Sequence, residues 1–250
     1  MTSDQVKNEE KNENIKLKIA SLCFRYRAIS IVPVILIIYV FFIPDDPGRY
    51  NTLLNIVGFI IALSGGLIRM TSVGFSKPVT SGRQNYLTAE NLNTTGLYSL
   101  VRNPLYVGAF FIYNGVLIAY SSIFAIIFMN IFFIINYYFI IFSEENYLKG
   151  QFGDSYENYL ESVPSMVPNF RNYKKNEGKF HLFKVLLREK NTTFYWFFLY
   201  VVSLLLKQYK LNDGAIDNFW LHAVPVIMLF IFNIILTIYK KYFASEEDYT

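Results

Sequence analysis

Long runs without a charged residue dominate the chain, at residues 28–44, 50–68, 104–143, 191–206 and 219–239. A helix needs about 20 apolar residues to cross a bilayer core. The run 104–143 therefore holds two helices, turning at Ser121 and Ser122, and the pattern predicts about six transmembrane helices in an all-α integral membrane bundle. The stretches after Ala28 and Asn191 are short, so Arg25, Arg27 and Lys207 are expected to snorkel along them. Gly58, Ala62 and Gly66 recur every four residues in the second span, which predicts a small-residue seam where a neighbouring backbone approaches closely.

Composition excludes the other classes. Hydrophobic residues make up 53% of the chain, aromatics 18% and charged residues 17%, against roughly 25% charged in soluble domains. Disorder requires the reverse balance, and the single Cys23 cannot staple a small secreted module. The net charge of +4 acquires meaning from its placement. With a cytosolic amino terminus, 20 of the 23 Lys and Arg residues fall on the inner side, so the positive-inside rule places both termini in the cytosol. The polar lead before Ala28, and no small-residue cleavage site before Pro44, predict an uncleaved anchor. Residues 1–14 read as a solvated tail. The organisation expected is a cytosolic tail at 1–27, two membrane helices at 28–75, a core at 76–168, a basic linker at 169–190 and a final helical hairpin with its tail at 191–250.

Candidate chemistry follows from the hairpin. Arg102 lies 19.5 residues before the midpoint of Ser121 and Ser122, and Ile141 lies 19.5 after it. At 1.5 Å per residue both positions return about 29 Å to one membrane face, so Arg102 and Asn103 should meet Glu144 and Glu145. A cation, an amide and two carboxylates would gather there beside Tyr98, Tyr106 and Tyr147. Charged residues also flank membrane helices without any further role, and spacing alone leaves that alternative open. Leu148, Phe152, Tyr156, Tyr159 and Leu160 recur at three- and four-residue steps, predicting an amphipathic helix on the membrane surface that could roof the pocket. No Cys/His ligand set for a metal and no phosphate-binding glycine loop is visible in the sequence.

Two blocks carry a family resemblance. Gly96, Tyr98, Arg102, Asn103, Pro104, Tyr106 and Gly108 spell G-x-Y-x-x-x-R-N-P-x-Y-x-G; residues 144–159 spell E-E-x-x-L-x-x-x-F-G-x-x-Y-x-x-Y, followed by V-P-x-x-x-P at 163–168. In this order, about 40 residues apart, they resemble the isoprenylcysteine carboxyl methyltransferase and phospholipid methyltransferase superfamily over about residues 94–168. The resemblance implies a membrane enzyme that uses S-adenosyl-L-methionine in a cytosolic cofactor pocket. It implies cofactor contacts at Tyr98, Arg102, Asn103, Pro104, Tyr106, Gly108, Glu144 and Glu145, and catalytic roles for Arg102 and Glu145. Asn103 departs from the His of many members and cannot titrate near neutrality. Ser162 stands where prenylcysteine-type members tend to carry a basic residue, which weakens a prenylcysteine carboxylate as acceptor. The context of residues 91–96 and the extension 180–190 look most like a bacterial branch associated with methylation of the lipid A phosphate, implying the inner membrane.

An anionic phosphate or carboxylate acceptor needs a cation to hold it and no general base, and Arg102 is the candidate. An ethanolamine amine must lose a proton, a task for Glu144 or Glu145. The basic residues of 171–190 suit an anionic lipid surface, although the positive-inside rule already calls for them. The expected function is O-methylation of an anionic group on a membrane lipid or lipidated molecule, with no nucleic acid or metal involved. The alternatives are phospholipid N-methylation and a non-catalytic lipid-binding protein. A transporter is disfavoured because the uncharged spans carry no ionisable mid-membrane site of the usual kind.

Overall fold

The computed structural model describes residues 3–78 and 88–244, so part of the 71–103 segment lies outside the described residues. Nine helices follow in order among them: α1 (Ser3–Tyr26), α2 (Ile31–Phe41), α3 (Asn51–Gly74), the single turn α4 (Leu97–Leu100), α5 (Pro104–Tyr120), α6 (Ile123–Phe152), α7 (Asp154–Ser162), α8 (Leu182–Leu211) and α9 (Phe219–Tyr242). No strand occurs among the described residues, and the all-α expectation holds. The count of six spans is not confirmed among the described residues. Three helical stretches, Gly48–Gly74, Ile123–Phe152 and Phe219–Tyr242, are long and apolar enough to cross a membrane, and the pair Lys11–Tyr26 and Ile31–Phe41 makes a fourth if counted as one broken span. The apolar α5 has only 17 residues, about 25 Å of helix, and α8 carries charged residues in both of its end regions.

Of the expected first span only the 11-residue α2 is helical, and it is bent by 75° from α1, which the expected tail forms. Pro33 supplies a physical reason: its ring conflicts with a helical carbonyl four residues back, at Ile29, and it has no N–H to offer that carbonyl. The Ile29 carbonyl instead accepts from the Val32 N–H at 3.0 Å, and the Asn136 amide donates to Ser30 Oγ at 3.3 Å from α6. The segment expected as a solvated tail is helical from Ser3; Glu and Lys are good helix formers even where they cover no core.

The centre of the bundle is the antiparallel contact of α3 with α5. A Cβ added to Gly58 would lie 2.5 Å from the Gly115 carbonyl oxygen, and one added to Gly65 would lie 2.4 Å from that of Gly108. Two turns separate the glycines on each helix, so only small residues allow the backbones to touch. The seam differs from the expected one in its third member. Gly66 is rotated about 80° from Gly58 around the axis, whereas Gly65 comes within about 20° of it; Gly66 instead faces the Trp196 indole, 3.5 Å from where its Cβ would stand.

The turn between α5 and α6 falls at Ser121 and Ser122 as the sequence predicts, with Ser121 left-handed at φ 63°. Inside the hairpin, Asn114 and Asn130 exchange amide hydrogen bonds of 2.8 and 3.3 Å. Lys207 does not snorkel. It is 2% exposed and donates to the Ala119 carbonyl at 2.6 Å and to Asn55 Oδ1, closing the carboxyl end of α5. Helix α9 leans on α8 and buries only Leu236, an exposure of apolar side chains suited to lipid and disfavoured in water.

Candidate active site

The chain between α4 and α5 is shaped by its proline. Asn103 precedes Pro104 and is non-helical at φ −119° and ψ 57°, the restriction that a following proline imposes; Pro104 then opens α5 at a position where no N–H is needed. The extended residues 101–103 are held by the segment after α7. The Arg102 N–H donates to the Pro164 carbonyl at 2.9 Å, the Asn103 N–H to that of Ser165 at 3.2 Å, and the Asn169 N–H to that of Leu100 at 2.9 Å. The Asn103 amide adds bonds to Ser165 Oγ at 3.1 Å and to its carbonyl at 3.2 Å. The V-P-x-x-x-P run is thus a strap laid along the first block.

The second block begins within α6, which ends before Gly153, whose φ of 51° is easy for glycine alone. This breaks the expected surface helix into the end of α6 and a separate α7. Its apolar face is turned inward rather than to lipid: Leu148, Tyr156 and Tyr159 pack with Ala89 and Val163, and the Tyr159 hydroxyl donates to the Tyr98 carbonyl at 2.6 Å. Burial, followed by the charges of Glu145 and Glu144, pushes the Tyr156 phenol above its ordinary range, and burial does the same to Tyr159. Both phenols stay protonated at physiological pH.

Arg102 meets Glu145 where the hairpin arithmetic puts it. Its Nε and Nη2 lie 2.9 and 2.8 Å from Glu145 Oε1, while Nη1 donates to the Leu160 carbonyl at 3.1 Å and to that of Val163. The guanidinium, whose side chain is only 13% exposed, is therefore largely committed to holding α7 and the strap. Glu144 is 8% exposed and accepts from the Tyr106 hydroxyl at 2.8 Å.

These groups border a partly open cavity of about 60 Å³, lined by Tyr98, Arg102, Asn103, Pro104, Tyr106 and Glu144, and by Asn91, Leu92, Asn93, Leu105, Leu148, Tyr156 and Tyr159. That volume is smaller than the roughly 300–1,000 Å³ of small-molecule sites, so a ligand of cofactor size would also occupy the open mouth. Glu145 and Gly108 do not line it: Glu145 stands behind the wall on Arg102, and Gly108 faces α3, where its Cβ would lie 2.5 Å from Arg69 Cγ. Asn91 and Asn93 are lining residues that the spacing argument does not single out. Their signal is the N-L-N run just before the Gly96 turn, whose N–H is bonded to the Lys174 carbonyl at 2.8 Å.

Residues 53–155 match the family model for phospholipid methyltransferase. That segment is similar to a family within the isoprenylcysteine carboxyl methyltransferase and phospholipid methyltransferase superfamily. It spans nearly all of α3, then α5, the hairpin and both carboxylates, so the match to this family of lipid methyltransferases covers most of the cavity lining. The strap and the α8–α9 pair lie outside the match. No curated protein and no solved structure matches the chain.

Proposed function

We propose that the protein is an S-adenosyl-L-methionine-dependent methyltransferase that O-methylates an anionic head group of a membrane lipid, with the cavity and both termini on the cytosolic side of a bacterial inner membrane. The observation that carries the cofactor reading is the lining itself: one buried carboxylate, Glu144, among the aromatic faces of Tyr98, Tyr106, Tyr156 and Tyr159. Carboxylates and aromatic faces both attract a sulfonium cation, and the side-chain amides of Asn91, Asn93 and Asn103 offer donors and acceptors for ribose and amino-acid groups. Glu144, Tyr98 and the three asparagines are the residues that would hold the cofactor, which supplies an electrophilic methyl group when bound.

The rest of the chemistry is positioning. A head-group oxygen that is already anionic needs no base, and no histidine lines the cavity among the described residues. Asn103 can hydrogen-bond but cannot relay a proton. Arg102 acts chiefly by fixing α7 and the strap, which shut water away from the side of the cavity they cover. The second reading, N-methylation of ethanolamine, is favoured by the description of the matching family and would use Glu144 as the base.

Comparative mass spectrometry of lipids from cells with and without the protein separates the two. One added methyl group on a phosphate-bearing lipid supports the oxygen acceptor. Successive methyl groups on ethanolamine lipids would replace that acceptor by the amine.

A further inference from the structure

Arg69 of α3 and Glu189 of α8 form an ion pair outside the cavity wall. Arg69 Nε lies 2.9 Å from Glu189 Oε2 and Nη2 lies 3.3 Å from Oε1, a two-pronged contact, with side chains only 18% and 5% exposed. The remaining prong, Nη1, donates to the Leu105 carbonyl at 3.0 Å. Leu105 and its neighbour Pro104 line the cavity, so the pair reaches the site through the first turn of α5. The motif glycine Gly108 leaves the space through which Arg69 passes.

The start of α8 is tied down around this pair. The His181 N–H donates to the Gly74 carbonyl at 3.1 Å, and Lys184 Nζ donates to that of Ser76 at 2.6 Å from a 5% exposed position. These contacts explain why α8 begins at Leu182, well before the uncharged run at 191–206. Removing two charges from water is expensive, and well-packed apolar side chains would often hold two helices equally well. An ion pair adds direction: once two prongs of a planar guanidinium are fixed on a carboxylate, the third is aimed.

We infer that Glu189 is a positioning residue of the active site, acting through Arg69 to set the first turn of α5, and that α8, which lies outside the family match, is a working part of the enzyme. This inference rests on the reading of the cavity as the methyl-donor site. The test uses the full-length protein in detergent as wild type, Glu189→Gln and Arg69→Lys; the lysine keeps the charge but lacks the planar fork that fixes the carboxylate on two prongs and aims the third at the carbonyl. Titration with S-adenosylhomocysteine should show about tenfold weaker binding in both variants, the loss expected for one charge-assisted hydrogen bond. Amide hydrogen exchange without ligand should quicken at residues 105–109 and stay unchanged in α9. Wild-type affinity and unchanged exchange at 105–109, even with a lowered melting temperature, would reduce the pair to a brace and overturn the inference. Failure of the wild type to bind would instead remove the proposed cofactor, while the exchange data still decide whether Glu189 positions α5.

Discussion

The two ends of the bundle use the same device for different purposes. At the Ser121 end, Lys207 and Lys210 turn inward onto backbone carbonyls, Lys207 on Ala119 and Lys210 on Tyr39 at 2.7 Å and Phe42 at 3.3 Å. They close the carboxyl ends of α5 and α2, where unpaired carbonyls would otherwise be costly. At the Arg102 end a buried cation again holds carbonyls, those of Leu160 and Val163. There it also grips Glu145 and lines the same cavity as Glu144. A cation on a helix end is therefore no sign of chemistry by itself. The adjoining carboxylates and the cavity they share make the difference.

The largest expected effect is at Arg102. Replacing it with lysine keeps the charge but gives up the fork that joins α6, α7 and the strap, and losing about two charge-assisted bonds should lower methyl transfer by about 100-fold or more. Circular dichroism should show the helix content unchanged. Activity within a few-fold of wild type would erase the distinction between the two ends. Next in size is Glu145→Gln, which leaves Arg102 with a weaker partner; it should weaken S-adenosylhomocysteine binding by about tenfold, less than loss of the cavity carboxylate Glu144.

Lys207→Met sharpens the comparison from the other side. Removing a buried cation from its carbonyls should lower the melting temperature by several degrees, yet cofactor affinity should stay within about twofold of wild type. A matching loss of affinity would show that the far end is coupled to the site. The smallest effects concern pH. Methyl transfer to an anionic oxygen should change by less than about twofold between pH 8 and 6.5, because neither Asn103 nor the raised phenols of Tyr156 and Tyr159 titrate there. Those raised phenols also give stability a sign: above about pH 10 the unfolded chain loses tyrosine protons that the folded one keeps, so stability should fall as pH rises further. Equilibrium unfolding across that range measures it.

The features legible in the sequence are those with a local period or a fixed reach. The turn at Ser121 follows from the length of one apolar run, and the meeting of Arg102 with Glu145 follows from equal distances to that turn. Gly65 is missed because a strict four-residue step drifts around a helix of 3.6 residues per turn. The helical character of the first residues is hidden because a polar run with no apolar face has the pattern of a solvated tail, while its helix propensity leaves no periodic mark. The carbonyl partners of Arg102 depend on how the strap folds back, and no side-chain pattern announces a backbone acceptor. Arg69 and Glu189 are 120 residues apart and on helices whose adjacency comes from packing, so neither spacing nor motif could pair them.

The central claim is that the cavity beside Glu144 binds the methyl donor. Calorimetric titration of S-adenosylhomocysteine into the detergent-purified protein and its Glu144→Gln variant tests it most directly. Saturable binding of one molecule per chain, weakened by about 10-fold or more in the variant, is the predicted result. No binding to the wild type, or equal binding to both proteins, would contradict it.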